Sequence, residues 1–80
     1  MVAAEALEHL VKGIVAHPDD VVVSERRNRR GDSLAVRVNP SDMGRVIGRS
    51  GKTATALRTV VKAVSGGSSI RIDFLDVDER

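Results

Sequence analysis

Eighty residues, 41% apolar and 30% charged, suffice for one hydrophobic core and leave no room for a second, so one domain of marginal stability is expected. With no cysteine and only His9 and His17, neither of which has ligand or catalytic companions nearby in sequence, disulfides and a thiolate metal site are excluded and no cofactor is called for. The net charge of +2 hides an asymmetry, because residues 26–62 carry ten Lys/Arg against Asp32 and Asp42 (net +8) while the remainder sums to −6, which points to a polyanion-binding side and an acidic, solvated side.

Residues 3–16 read as an amphipathic helix. Ala3, Ala6, Leu7, Leu10, Val11 and Ile14 recur at helical spacing, while Glu5, Glu8 and Lys12 lie opposite and Glu8 and Lys12 form an i,i+4 pair. His17-Pro18 ends it, since the residue before proline avoids helical geometry. His9 is expected to be solvated beside Glu5, and His17 simply to precede the proline. The valine-rich residues 21–27 and the alternating residues 33–39, with Leu34, Val36 and Val38 on one face, predict a β-hairpin across Asn28-Arg29-Arg30-Gly31-Asp32.

Asn39-Pro40-Ser41-Asp42 then opens a short helix. Asn39 can cap, Pro40 suits the first helical position and Asp42 favours the positive dipole end. Met43, Val46 and Ile47 form its apolar side. A second helix over residues 52–64 is predicted with Ala56, Leu57, Val60, Val61 and Val64 inward and Lys52, Thr55, Arg58, Thr59 and Lys62 outward, stopped by Gly66-Gly67. Residues 69–75 form a last strand with Ile70, Ile72 and Phe74 toward the core. Residues 76–80 read as a polar tail. The domain thus spans 1–80 with its core over about 3–75.

The chemistry concentrates between the paired helices, in Val46-Ile47-Gly48-Arg49-Ser50-Gly51-Lys52-Thr53. Glycines three apart let the backbone turn sharply and let a bulky partner approach. The following helix aims its free N–H groups and positive dipole end at the same turn, and Arg49 and Lys52 add full charges. Such a loop suits the phosphates of a nucleic-acid strand. A nucleotide-hydrolysing P-loop and a dinucleotide fingerprint both fail at Val46, where each needs a glycine, and neither follows a helical turn such as residues 40–47.

The order helix, strand, strand, helix, glycine turn, helix, strand, with VIGRSG between the paired helices, resembles a type II K-homology (KH) domain over essentially the whole chain. At this length it looks like the stand-alone bacterial KH-domain RNA-binding proteins, the KhpA family, as do residues 39–48 and Gly51-Lys52-Thr53-Ala54. The resemblance implies an α+β fold, a three-stranded sheet with helices packed on one face, and a narrow groove for about four single-stranded nucleotides.

It also implies a set of site residues. Gly48 and Gly51 let the sugar-phosphate chain come close; Arg49 and Ser50 offer charge and donors, and Lys52 opens the phosphate-facing helix. Val46 and Ile47 present an apolar wall opposite the last strand, with Arg45 and Arg58 at the rim. Ala54 stands where many KH sequences carry a larger aliphatic residue, which makes that wall shallower. Family members are described as RNA chaperones or regulators, and as pairing with a larger KH-containing protein. That likeness implies a heterodimer, and since small marginal domains often gain stability by pairing, a homodimer is the other expectation.

Phe74, the one aromatic, is expected in the core, so affinity should rest on phosphates rather than on base stacking. A non-enzymatic, cytoplasmic binder of single-stranded RNA is the reading these residues favour. No membrane association and no small-molecule substrate are expected, since no apolar run approaches a membrane span and no secretion signal or catalytic constellation is visible. The competing readings are a protein-interaction subunit of a larger RNA-binding complex, whose glycine turn serves mainly for geometry, and a helix-turn-helix reader of DNA. The flanking strands and the shortness of the first paired helix argue against the latter.

Overall fold

The computed structural model describes residues 2–29, 31–67 and 70–76. The first helical pattern becomes α1 (Val2–Ile14), on which Ala3, Leu7 and Val11 are buried one turn apart and make a single core-facing stripe. Glu8 and Lys12 pair across 3.9 Å on its outer side, and His9 is exposed. A 3₁₀ turn, Pro18–Asp20, leads into β1 (Val22–Asn28), which pairs antiparallel with β2 (Gly31–Val38). Asn28 stands opposite Gly31, so the hairpin is tight, and Gly31 supplies the positive φ of 124° found there.

The third strand, β3 (Arg71–Asp76), pairs parallel with β2, with Leu34 opposite Ile72 and Val36 opposite Phe74. The sheet order is β1-β2-β3, so β2 is central and both other strands are edges. Parallel neighbours require a crossover. Here it is a 3₁₀ turn (Pro40–Asp42), α2 (Met43–Ile47), a second such turn (Arg49–Gly51) and α3 (Lys52–Val64). The fold is thus α+β with the order α-β-β-α-α-β expected of a KH domain. Asp76 belongs to β3 and not to a tail; Ser69 and residues 77–80, assigned above to strand and tail, lie outside the described residues.

Leu34, Val36 and Val38 of β2 are fully buried against Leu7, Val11, Val46, Leu57, Val61 and Ile72, which places the core between the sheet and the helices. The inward face expected for α3 is rotated. Ala54, Leu57 and Val61 are buried, whereas Ala56 is exposed and Val60 and Val64 keep 39% and 40% of their surface. A helix lying on a sheet buries an arc of about 100°, and the apolar residues of α3 span more than that. Ala56, Val60 and Val64 fall on the part left uncovered.

Asn39 caps as expected, its Oδ1 accepting from the Ser41 N–H at 2.9 Å and the Ser41 hydroxyl at 2.8 Å. Asp42 does not. It is buried, and its carboxylate turns back to accept from the N–H of Ala16 (3.1 Å), the N–H of His17 (3.0 Å) and His17 Nδ1 (3.0 Å). Asn39 Nδ2 also donates to Asp20 at 2.9 Å, so the corner after α1 is clasped twice to the start of the crossover. His17 is therefore a partner of Asp42 and more than a residue before proline.

Burial alone would push the Asp42 carboxyl up. The Ala16 N–H, the His17 ring and the His17 N–H outweigh that and hold it below the usual carboxylate range. A depressed folded-state pKa contributes stability above the unfolded value, and that stability is lost as pH falls through the folded one. Asp42→Ala takes the acceptor from three part-buried hydrogen bonds and empties a buried position, so it should lower the neutral-pH melting temperature by roughly 10 °C. It should also flatten the fall in stability at acid pH. Thermal melts across a pH series check both, and an acid limb as steep as wild type would remove Asp42 from this role.

Candidate nucleic-acid interface

The helix α2 ends where Gly48 takes φ 76° and ψ 171°, its N–H still bonded to the Gly44 carbonyl at 2.9 Å. That region of backbone space belongs essentially to glycine. Space imposes the same choice, for a Cβ at position 48 would lie 2.8 Å from the backbone N of Thr53 and equally near its Cβ. Gly51 is left-handed too, at φ 74° and ψ 14°, but open space surrounds the place where its side chain would be. The two glycines are thus needed for different reasons.

Between them Ser50 sits at φ 57° and ψ 25°, the one non-glycine among the described residues with positive φ. Holding serine there costs about 1–2 kcal/mol. Arg49 opens the 3₁₀ turn and Ser50 follows left-handed. A right-handed residue followed by a left-handed one turns successive N–H groups into a shared concavity that suits an anion. Arg49, Ser50 and Lys52 are all exposed, and Lys52 begins the 13-residue α3 with its N–H bonded to the Arg49 carbonyl. Oriented amides, a helix N-terminus and two cations therefore meet at one loop.

Ile47, directly ahead of Gly48, is half-buried and borders a cavity shared with Arg58 of α3 and with Ile70, Ile72 and Phe74 at the β3 edge. Val46 is not part of that surface. It is wholly buried in the core, so the apolar wall expected of the pair falls to Ile47 alone. Ala54 is likewise buried, at 2% exposure, and does not line that cavity. Arg45 is exposed, with Nε 3.6 Å from Asp42 Oδ1, so its charge is shared with the clasp described above.

Phe74 departs most from expectation. It is half-buried at the cavity, and the Arg58 guanidinium carbon lies 5.7 Å from its ring centroid, within cation–π range. Alternation along β3 identified the face of Phe74 correctly but carries no information on depth, and β3 is an edge strand whose end the helices do not cover. Among the described residues no three His, Cys, Asp or Glu converge to hold a metal ion, and no helix is long and apolar enough to cross a membrane.

Comparison with known proteins adds to this geometry. A family model described as the KH domain of KhpA/KhpB matches residues 4–74. Proteins named RNA-binding protein KhpA are similar over nearly the full length. The one from Streptomyces coelicolor is 65% identical over 74 residues, covering 92% of each chain. That from Leifsonia xyli subsp. xyli is 60% identical over 73 residues, 91% of this chain and 96% of the relative. A Mycobacterium tuberculosis relative is 54% identical over 78 residues, 98% of this chain and 96% of its own.

Proposed function

This chain belongs to the KhpA/KhpB family of KH domains, and from that premise we propose that it is a non-enzymatic, cytoplasmic binder of single-stranded RNA that holds the sugar-phosphate backbone on Gly48-Arg49-Ser50-Gly51. The observation that carries this reading is the positive φ at three of those four positions, with Arg49 and Lys52 exposed on the same turn. Phosphates lie against the loop amides, Arg49 and Lys52, and bases face Ile47, Ile70 and Phe74, with Arg58 at the rim. One half-buried aromatic and a short apolar wall discriminate bases weakly, which suits an RNA chaperone or post-transcriptional regulator that accepts many sequences.

The salt dependence of binding tests this. With about three phosphates neutralised, log affinity against log salt should slope near −2 for single strands. Lys52→Ala should make the slope shallower by about 0.7 and weaken unrelated oligomers alike. Titration of several RNA sequences at stepped salt reads both quantities. An unchanged slope would take Lys52 out of the site, and a loss confined to one sequence would make it a base reader.

The second reading, a subunit that pairs with another copy or with a second KH-containing protein, draws on the exposed Ala56, Val60 and Val64 stripe of α3. It is compatible with RNA binding. As an exclusive function it requires that charge reversal in the glycine loop leave RNA affinity untouched.

A further inference from the structure

The sheet has a second face. Its register sets Arg26, Ser33 and Arg71 side by side, then Ser24, Ala35 and Asp73, then Val22, Arg37 and Leu75. Side chains alternate along strands, and the intervening Leu34, Val36, Val38 and Ile72 are buried beneath the helices, so these three rows point the other way. No described helix covers them.

That open face carries three arginines against one acid, Asp73. Arg71 donates from Nε to Asp73 Oδ1 at 3.0 Å but keeps 78% of its side chain exposed. Arg26 is exposed and makes no ion pair with any described residue. Between them the floor is built from small residues, Gly31, Ser33 and Ala35. The basic stretch 26–62 noted in the sequence thus extends, at Arg26 and Arg37, onto a face that the glycine loop does not use.

The face also continues from the groove. One concavity is lined by Arg26, Arg71 and Asp73 on the open side and by Asp32, Phe74 and Arg58 on the helix side, three arginines against two acids, and only the edge strand β3 separates the two. We propose that an RNA strand too long for the groove passes around β3 onto the open sheet face, where Arg26 and Arg71 bind its phosphates. This rests on the RNA-binding reading above and extends it: the groove sets a minimal site, and the sheet face makes affinity grow with strand length.

Oligouridylates of about four and about twelve nucleotides separate the two surfaces, since the groove alone holds about four. They are titrated at stepped salt against wild type, the Arg26→Gln/Arg71→Gln double variant, and an Arg27→Gln/Lys12→Gln control that removes the same net charge elsewhere. Melting curves confirm that each protein is folded. Wild type should bind the long oligomer more tightly and with a steeper salt slope than the short one.

The double variant should bind the short oligomer as wild type does. It should hold the long one about tenfold more weakly, with a slope shallower by about 1.4, and the control should match wild type on both. Equal affinity of double variant and wild type for the long oligomer would overturn the proposal and leave these arginines to an acidic protein partner. An equal loss on both lengths, or an equal loss in the control, would overturn it as well. Failure of wild type to bind either oligomer would sink the groove reading, and this inference with it.

Discussion

Gly48→Val is expected to remove a large part of the domain's stability and melt far below wild type, whereas Gly51→Val should lower the melting temperature much less. Both positions have positive φ, but only at position 48 does a side chain collide with its surroundings, at the Thr53 backbone. Backbone strain of about 1–3 kcal/mol and overpacking of a similar size combine there. The total stability of 80 residues is about 4–12 kcal/mol, so the sum removes a large part of it. At position 51 the strain acts alone, and Gly51→Asn, which tolerates left-handed geometry, should be nearly neutral. Melts of the three variants read this order directly. A Gly48→Val protein melting within a few degrees of wild type would show that the turn relaxes without glycine.

The double replacement Arg49→Asp with Ser50→Asp should abolish RNA binding and spare the fold. Both side chains are exposed, and aspartate accepts the left-handed conformation of position 50 better than most residues. The change amounts to three units of charge at the place assigned to phosphate. Each unit is worth about 1 kcal/mol at 4 Å in bulk water and more beside the protein, so affinity should fall by more than about a hundredfold. A gel shift run beside circular dichroism melts separates binding from folding. Undiminished affinity in a folded variant would leave the loop with a purely geometric role and favour the protein-interaction reading.

Local chemistry was legible wherever neighbours in sequence decide it. Proline after His17, the Asn39 cap, the hairpin signal and the 3.6-residue period of α1 each predicted the element that forms. The loop was legible because its two glycines are local requirements, although the sequence does not distinguish Gly48, which has no room for a Cβ, from Gly51, which has. What escaped depends on distant segments. Asp42 carries the signature of a helix start, and nothing in it reveals bonds to residues 25 and 26 positions away.

The inward face of α3 escaped because its apolar arc is wider than the sheet can cover. Periodicity fixes the arc and leaves open which part of it meets the core. Val46 and Phe74 exchanged roles for a related reason. Depth depends on what lies above a residue, and α2 buries Val46 while the end of β3 leaves Phe74 at the cavity. The left-handed Ser50 had no signal at all, since serine is an ordinary loop residue until its φ is known.

The parallel pairing of β2 with β3 has a consequence in time as well as in space. The glycine loop lies inside the crossover, and the wall opposite Ile47 comes from β3, which ends at Asp76, 25 residues beyond Gly51. A ribosome adding about 5–20 residues per second needs about one to five seconds to make that interval. On the reading proposed above, the residues that meet phosphate are made before the strand that faces the bases. Vectorial synthesis therefore orders the two halves of recognition.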